Sequence, residues 1–516
     1  MKTGSSTTTS VHRAAGLRLL VLVVCLLGAA PSAPAESPRY AVRQSAARKH
    51  PACDRSATGT VKGKSMTSST ESVASQSAAS GAGPFRTVGI YIAPPTGENA
   101  HLYDFFKACG YNYLEFCEGG FGRRPDLLPP YHAEMAKAID DAHKKGFTVW
   151  ILLLAGMKQW KGPAETGSAG TFSALNADLL QERLSYIQQA VQNLHNADGF
   201  EFFAGDPGGD PEGRSTVRDC IAFARKVRNI VRENAPQAHF AVNLWAIAEW
   251  SGFPSPFSLD FWQKQVALSK AVAAEKDLLG PDCGVIFSMD NYYRSLSLAC
   301  YADAKIKPEL YPLAEDVKKL HARGVKPIYG WPYFLVDECD DGFITPNNVA
   351  SGGQSQAETR YIRAVIDRGR EIGLDGLITN TMYAPVEALN IYAFGRMCRD
   401  PHLTPAAFLD EYAAIIADDA TKGQLAQVLR FIENHSNWDN SLPPQYRQQP
   451  LDCGEVTSAL IAMDRLTKVT PLLQSPIPLP ESPAAYLARL RKRLEAIAEG
   501  KIGGTAPIVH AGKAAK

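Results

Sequence analysis

The stretch FTVWILLLA, residues 147–155, is apolar along almost its whole length. A strand with one face in water alternates polar and apolar side chains, whereas a near-continuously apolar strand is buried on both faces, as in a parallel sheet covered by helices. The stretch follows an amphipathic pattern, HAEMAKAIDDAHKKG (132–146), that ends at a glycine, as helices often do. Another helical pattern comes after it at 179–194. The sequence therefore predicts a buried strand with a helix on either side.

This alternation recurs from about residue 86 to 399. The predicted strands are RTVGIYIA (86–93), YNYLEFCE (111–118), FTVWILLLA (147–155), DGFEFFAG (198–205), HFAVNLWAIA (239–248), GVIFSMD (284–290), KPIYGW (326–331) and DGLITNT (375–381). Eight strand–helix pairs in a chain of this length are typical of a closed barrel. The alternative is an open doubly wound sheet, which usually carries a GxGxxG first turn, but here that turn reads APPTGEN. We predict an α/β fold, a (β/α)8 TIM barrel.

The two ends of the chain differ from the barrel. Basic residues precede the apolar run LLVLVVCLLGAA (19–30), and small residues follow it, so we predict a signal peptide at 1–35 and a secreted or periplasmic protein without a stable membrane span after cleavage. Residues 36–83 are rich in Ser, Ala, Thr and Gly, which predicts a disordered linker. Residues 503–516 have a similar composition and are predicted to be a disordered tail.

A helical region is predicted to follow the barrel. The barrel is assigned to residues 84–400, and four amphipathic patterns without intervening strands assign 401–502 to a C-terminal helical region. Thr404 and Pro405 have the pattern of a helix N-cap followed by a first-turn proline. This region is expected to pack on the barrel.

Composition narrows the function classes. The formal net charge is +1 and no polybasic stripe is visible, so nucleic-acid binding is not expected. HExxH and GxSxG are absent and the 11 histidines are dispersed, so no metal or other cofactor and no serine hydrolase chemistry are predicted. Of ten cysteines, several lie in apolar runs and are predicted to be small core residues (Cys109, Cys117, Cys283, Cys398). The oligomeric state stays open.

The carboxyl ends of the strands carry carboxylates, amides and aromatic side chains, and that end of a barrel holds the active site. Such groups suit a sugar, because aromatic rings stack on a pyranose while acids and amides bind its hydroxyls. Paired carboxyls at a glycosidic bond act as general acid and as base or nucleophile. The candidate catalytic residues are Asp206 and Asp290, and the candidate substrate-binding residues are Glu118, Asp210, Trp245, Trp331, Asn380 and Tyr383.

Each candidate also has a structural interpretation. Asp206 and Asp210 lie among glycines and prolines, where aspartates are common turn residues. Trp245 and Trp331 are large enough to fill the barrel core. Glu118 precedes two arginines with which it could form a structural ion pair. The acidic run DECDD (337–341) is typical of a solvated loop or a weak calcium site.

Two motifs resemble the glycoside hydrolase barrel superfamily, most of all its hexosaminidase-like and α-glucuronidase-like members. They are DGFEFFAGDPGGD (198–210) and GLDGLITNTMYAPVEALNIYAFGRMCRDPHLTPAAFLDEYAA (373–414). The resemblance implies a general acid at the end of strand four, here Asp206. It also implies a base on a later strand, for which Asp290 is the candidate and Glu249 the alternative. The adjacent acidic pair of hexosaminidases is interrupted here by glycine and proline, so the resemblance does not extend to cleavage assisted by an N-acetyl group.

The sequence thus favours an exported glycoside hydrolase acting on a poly- or oligosaccharide by paired-carboxylate catalysis. Strands four and six are not neighbours, and a separation that leaves room for a water favours inversion over retention, although the sequence alone leaves the stereochemistry open. The alternative is a non-catalytic carbohydrate-binding protein on a degenerate barrel. A third hypothesis is a lyase or calcium-dependent hydrolase that uses the 337–341 loop.

Overall fold

A computed structural model describes the chain in eleven ranges: 83–120, 125–154, 174–205, 208–210, 213–251, 259–289, 311–332, 359–381, 384–435, 453–468 and 482–498. Its eight strands are β1 (Thr87–Ile92), β2 (Tyr113–Glu118), β3 (Thr148–Leu154), β4 (Gly199–Phe203), β5 (His239–Asn243), β6 (Gly284–Ser288), β7 (Ile328–Trp331) and β8 (Gly376–Asn380). All neighbouring strands are parallel, and β8 pairs with β1, so the sheet closes in the order of the sequence. The predicted eight-stranded barrel is confirmed.

A helix follows each strand, as the alternating pattern predicted. The barrel helices are α1 (His101–Ala108), α2 (Leu128–Lys144), α3 (Ala177–Asn193), α4 (Val217–Asn234), α5 (Leu259–Ala274), α6 (Ala314–Ala322), α7 (Thr359–Glu371) and α8 (Ala384–Arg399). The C-terminal region adds α9 (Pro405–Ile416), α10 (Lys422–His435), α11 (Cys453–Leu466) and α12 (Pro483–Ala498). None of the helices in these ranges is both long and apolar enough to cross a bilayer.

Short polar motifs fix where several helices begin. The Asn176 side chain accepts hydrogen bonds from the first N–H groups of α3. Thr216 and Asp219 form a reciprocal capping box at the start of α4. The predicted cap of α9 is confirmed, because the Thr404 hydroxyl accepts a bond from the backbone three residues on and Pro405 occupies the first turn.

Polar side chains also fix the register at the amino-terminal end of the barrel. In three places the side chain of the residue immediately before a strand accepts a hydrogen bond from the backbone N–H of the preceding strand in the sheet. The bonds run from Val88 to Asn112 (2.9 Å), from Val149 to Asp198 (2.7 Å) and from Ile328 to Asp375 (2.8 Å). A one-residue slip would move every side chain to the other face of its strand, so these bonds help to determine which residues point inward.

The C-terminal region is anchored to the barrel by a buried acid. Glu433 on α10 accepts hydrogen bonds from the backbone N–H groups of Thr359 and Arg360, which begin α7, at 3.0 and 3.1 Å. The Arg360 side chain adds a bond to the same carboxylate at 3.0 Å. The carboxylate therefore satisfies otherwise unpaired donors at a helix N-terminus, where a negative charge is favoured.

Five described cysteines, Cys109, Cys117, Cys220, Cys283 and Cys398, are free thiols. Cys109, Cys283 and Cys398 are buried, as predicted, and Cys117 is half-buried. The predicted signal peptide, the linker up to residue 82 and the tail from 503 lie outside the described residues.

Candidate active site

An aromatic layer fills the amino-terminal half of the barrel interior. Tyr113 on β2 packs against Trp150 on β3 and against Tyr329 on β7, with ring centroids 5.8 Å apart in both pairs. Because β2 and β7 are not neighbours in the sheet, the second contact crosses the inside of the barrel. Gly199 lies beside Trp150, where an added Cβ would come within 2.3 Å of the indole. Aromatic side chains therefore occupy this half of the interior.

Two fully buried glutamates lie on the same inner face. Glu115 is opposite Trp150, and Glu201 is opposite Leu152, the next inward residue of β3. The Asn243 side-chain amide donates to Oε2 of Glu201 at 2.8 Å. Burial and then the Glu201 charge raise the pKa of Glu115 well above its usual range. Burial also raises the pKa of Glu201, although hydrogen bonds from Glu115 and Asn243 oppose this.

Trp331 closes the inner face at the carboxyl end. Its ring meets Tyr91, Phe203 and Trp245 edge-on, with centroids 6.0, 5.4 and 5.7 Å apart. Trp331 is 1% exposed and Trp245 is 3% exposed, whereas Tyr91 is half-buried. The two tryptophans, both predicted to bind a sugar, are thus part of one aromatic cluster, and Tyr91 is the member of that cluster with the most exposed surface.

The chain after β4 is held against the turn after β5. The indole N–H of Trp250 donates to the carbonyl of Ala204 at 2.5 Å. A Cβ on Gly205 would lie 2.4 Å from that of Ala246, and one on Gly208 would lie 2.3 Å from the Ala204 carbonyl. Gly205 and Gly208 therefore lie where the backbone packs too closely for a side chain.

Glu118 lies at the end of β2 in a buried polar cluster between the barrel and its helices. Its Oε1 accepts from Gly120 N at 2.8 Å, from the Tyr186 hydroxyl at 2.7 Å and from His132 Nε2 at 3.2 Å. Burial opposes ionisation of Glu118, but the bonds from His132 and Tyr186 and the charge of Arg183 outweigh it, so its pKa is lowered. This cluster joins β2 to α2 and α3. A role for Glu118 in substrate binding stays a prediction.

Asp210 takes part in a local ion pair. Its Oδ2 accepts from the Arg214 Nε at 2.9 Å and from the Arg214 backbone N–H at 3.1 Å. The Asp210 side chain is 1% exposed, while that of Arg214 is 57% exposed. These contacts fit a turn that leads into α4, which was the structural interpretation of this aspartate.

Asn380 ends β8 on the inner face, opposite Tyr91 of β1. It is fully buried, and so is Thr379 beside it. The hydroxyl of the next residue, Thr381, donates a hydrogen bond to Glu387 on α8, and its N–H donates to the carbonyl of Tyr91 at 3.2 Å. Asn380 and Tyr91 thus lie side by side at the carboxyl end of the barrel.

Several predicted residues lie outside the described ranges: Asp206, Asp290, Tyr383 and the 337–341 loop. Their chain neighbours are described. Gly205 leaves β4, and Met289, whose N–H donates to the Trp331 carbonyl at 3.0 Å, leaves β6. Glu249, the alternative base, is half-buried in a 3-10 turn at Ile247–Ser251. Both candidate acids therefore follow directly on strands that end at one rim.

The sequence interpretation did not include the Glu115–Glu201 pair among the site residues. The signal was present, because an acid in the middle of an apolar run (YLEFCE, GFEFF) cannot be placed in a core without a compensating group. What was missing was the register, since only the pairing across β3 shows that both acids point inward.

The described residues contain no group of three or more His, Cys, Asp and Glu side chains that could hold a metal ion.

The chain was compared with protein families, curated proteins and solved structures. No family model matches the chain, and no curated protein does. Among solved structures, it is similar to an O-GlcNAc hydrolase from Thermobaculum terrenum (10% identity, TM-score 0.46), covering 80% of this chain and 81% of that one. It is also similar to a GH138 enzyme targeting pectin rhamnogalacturonan II (10% identity, TM-score 0.44), covering 81% of this chain and 57% of that one. A third similar structure is a GH30 endoxylanase from Clostridium papyrosolvens (14% identity, TM-score 0.36), where the match covers 62% of this chain and 73% of that one.

Proposed function

We propose that this protein is an exported glycoside hydrolase that cleaves a poly- or oligosaccharide, with Asp206 as general acid and Asp290 as base or nucleophile. The observation that carries the proposal is the position of the two strand ends that lead into these acids. Gly205 after β4 and Met289 after β6 leave the same rim of a closed barrel, with only β5 between them. Acid and base for one glycosidic bond require such a shared rim.

The spacing of the strands supports an inverting mechanism. Neighbouring strands lie about 4.8 Å apart, so β4 and β6 are about 10 Å apart at the backbone. Side chains that lean towards each other across β5 would then have a separation near the roughly 6.5–9.5 Å of inverting carboxyl pairs. In this mechanism Asp206 protonates the leaving oxygen while Asp290 takes a proton from the attacking water.

The inner face beneath the rim supports a sugar as the ligand. Tyr91 offers a partly exposed ring, and Asn380 offers an amide beside it. We propose that these two residues, with Tyr383, contact the sugar, and that Trp331 and Trp245 support the ring of Tyr91 from behind. An aromatic face with neighbouring amides suits a pyranose, whose faces are apolar and whose edges carry hydroxyls.

A screen for hydrolysis tests the proposal. The purified protein is incubated with aryl glycosides and with a panel of poly- and oligosaccharides, and released phenol or reducing ends are measured alongside equilibrium binding to the same glycans. The proposal expects turnover of at least one glycan class. Saturable binding without any released product would instead select the non-catalytic carbohydrate-binding alternative, and dependence of turnover on calcium would select the 337–341 loop.

A further inference from the structure

We propose that Glu115 and Glu201 share one proton inside the barrel and act together as a positioning pair for Asn243 and the aromatic cluster around Trp331. The proposal rests on the proposed function only where it assigns a purpose to the pair. The shared proton itself rests on the burial of the two carboxyl groups, their inward register and their unpaired oxygens.

Glu115 and Glu201 are fully buried. Within the described part of the chain, no hydrogen bond of normal geometry is made to either oxygen of Glu115 or to Oε1 of Glu201, although the Trp331 indole lies close enough to lower the pKa of Glu115 in part. A carboxylate only accepts hydrogen bonds, so two ionised groups here would each leave buried oxygens unsatisfied. A proton on one of them supplies the missing donor.

Repulsion between two ionised carboxylates also favours a shared proton, because the charge of Glu201 opposes ionisation of Glu115. A single proton between the groups removes this repulsion, as in carboxyl dyads that ionise in two steps. The pair therefore carries one negative charge rather than two.

The surroundings of the two groups indicate that Glu115, rather than Glu201, holds the proton. Glu201 accepts from the Asn243 amide at 2.8 Å, which stabilises its charge. Burial and the neighbouring charge raise the pKa of Glu115, and the indole of Trp331 opposes this only in part. Glu115 is accordingly the acid that donates to Glu201. Among the described residues, the buried phenols of Tyr113 on β2 and Tyr329 on β7 also face this region, and burial raises the pKa of both, so they are neutral at ordinary pH. Asp198, just before β4, adds a negative charge that also raises the pKa of Tyr113.

A chain of contacts leads from the pair to the rim. Asn243 is held by Glu201 through its amide nitrogen, and its Oδ1 accepts from the backbone N–H of Trp245 at 3.0 Å. Trp245 packs on Trp331, 5.7 Å away between centroids. A change in the charge of the pair would therefore move the turn after β5 and the aromatic cluster. Glu115 and Glu201 act through these residues, so they are positioning residues.

The test uses infrared spectroscopy and pH-dependent unfolding of the full chain. Wild type is expected to show the carbonyl band of a protonated carboxyl group at neutral pH, and Glu115→Gln is expected to lose it. Glu433→Gln is the matched control, because burial raises the pKa of Glu433 as well. The proposal requires that the Glu115 band survive in this control.

Unfolding gives a second readout. A raised pKa in the folded state means that the native protein keeps a proton that the unfolded chain has lost, so stability falls as the pH rises through the interval between the two values. The unfolding constant of wild type should therefore rise up to tenfold per pH unit above the ordinary glutamate range, and Glu115→Gln should lack this component. Glutamine can still donate to Glu201, so the near-ultraviolet circular dichroism of its tryptophans should resemble that of wild type, whereas Glu201→Ala should change it.

Two results would overturn the proposal. One is a wild-type spectrum without a protonated carboxyl band at neutral pH, which decides the matter even if every variant fails to fold. The other is the same pH slope in wild type and Glu115→Gln. A protein that shows the band and the slope but hydrolyses no glycan would refute the proposed function and leave the shared proton standing.

Discussion

The Glu118 cluster gives a prediction that separates a structural role from a binding role. Glu118→Gln keeps the shape of the side chain but removes its charge, and the amide cannot accept from all three donors that now meet Oε1. A hydrogen bond to a charged group contributes about 1.5–3 kcal/mol. We therefore expect the free energy of unfolding to fall by about 2 kcal/mol. Glu118→Ala, which leaves three buried donors unsatisfied, should lower it by about 4 kcal/mol.

The pH dependence of Glu118 has the opposite sign to that of the carboxyl pair. Its pKa is lowered in the folded state, so its contribution is present above the ordinary glutamate pKa and is lost as the pH falls through the lowered value. Urea unfolding from neutral to acid pH should show that wild type and Glu118→Gln converge in stability as the pH falls.

An exposed glutamate on another helix serves as the control. Glu315 forms an exposed ion pair with Lys319 on α6, and Glu315→Gln should leave the unfolding free energy indistinguishable from that of wild type. The reasoning would be refuted if Glu118→Gln were as stable as wild type at neutral pH. A stable variant with weakened glycan binding would show instead that Glu118 contacts substrate, as the sequence interpretation proposed.

Three further predictions concern stability. Glu433→Ala removes the acid that joins α10 to the start of α7, and it should cost about 3–5 kcal/mol and speed hydrogen exchange at Thr359 and Arg360. If exchange there is unchanged, the C-terminal region is not held by this contact. Trp331→Ala opens a cavity among three aromatic rings, so calorimetry should show a loss of about 3–5 kcal/mol, and a loss under 1 kcal/mol would mean that the ring is not packed as described. Thr404→Ala removes the cap of α9 and should cost about 1 kcal/mol in urea unfolding, whereas a neutral effect would contradict the cap.

The fold was predictable because its signal repeats. Each strand of the barrel is buried on both faces, and each carries the same short apolar run between helical patterns, so errors at single boundaries did not alter the count of eight. The cap at Thr404 was predictable for a related reason, since it depends on residues that are adjacent in sequence.

The candidate site was less predictable because it depends on direction rather than on sequence position. Glu115 and Glu118 are three residues apart on β2, so they point to opposite faces of the strand. Their positions at or near a strand end did not show that one meets Glu201 inside the barrel and the other meets His132 and Tyr186 outside it. Trp245 and Trp331 could likewise be recognised as aromatic, but their burial against each other depends on strands five and seven reaching the same depth.

Steady-state kinetics of Asp206→Asn and Asp290→Asn test the central claim most directly, on whichever glycan the wild type turns over. Loss of a general acid or base lowers the rate by about 10²–10⁴-fold. We predict a fall of this size in kcat for both variants, with Asp206→Asn affected less on aryl glycosides whose leaving group needs no protonation. Asp419→Asn, at an exposed ion pair before α10, should match wild type. Wild-type rates in both Asp206→Asn and Asp290→Asn would contradict the claim that acids at this rim cleave the glycosidic bond.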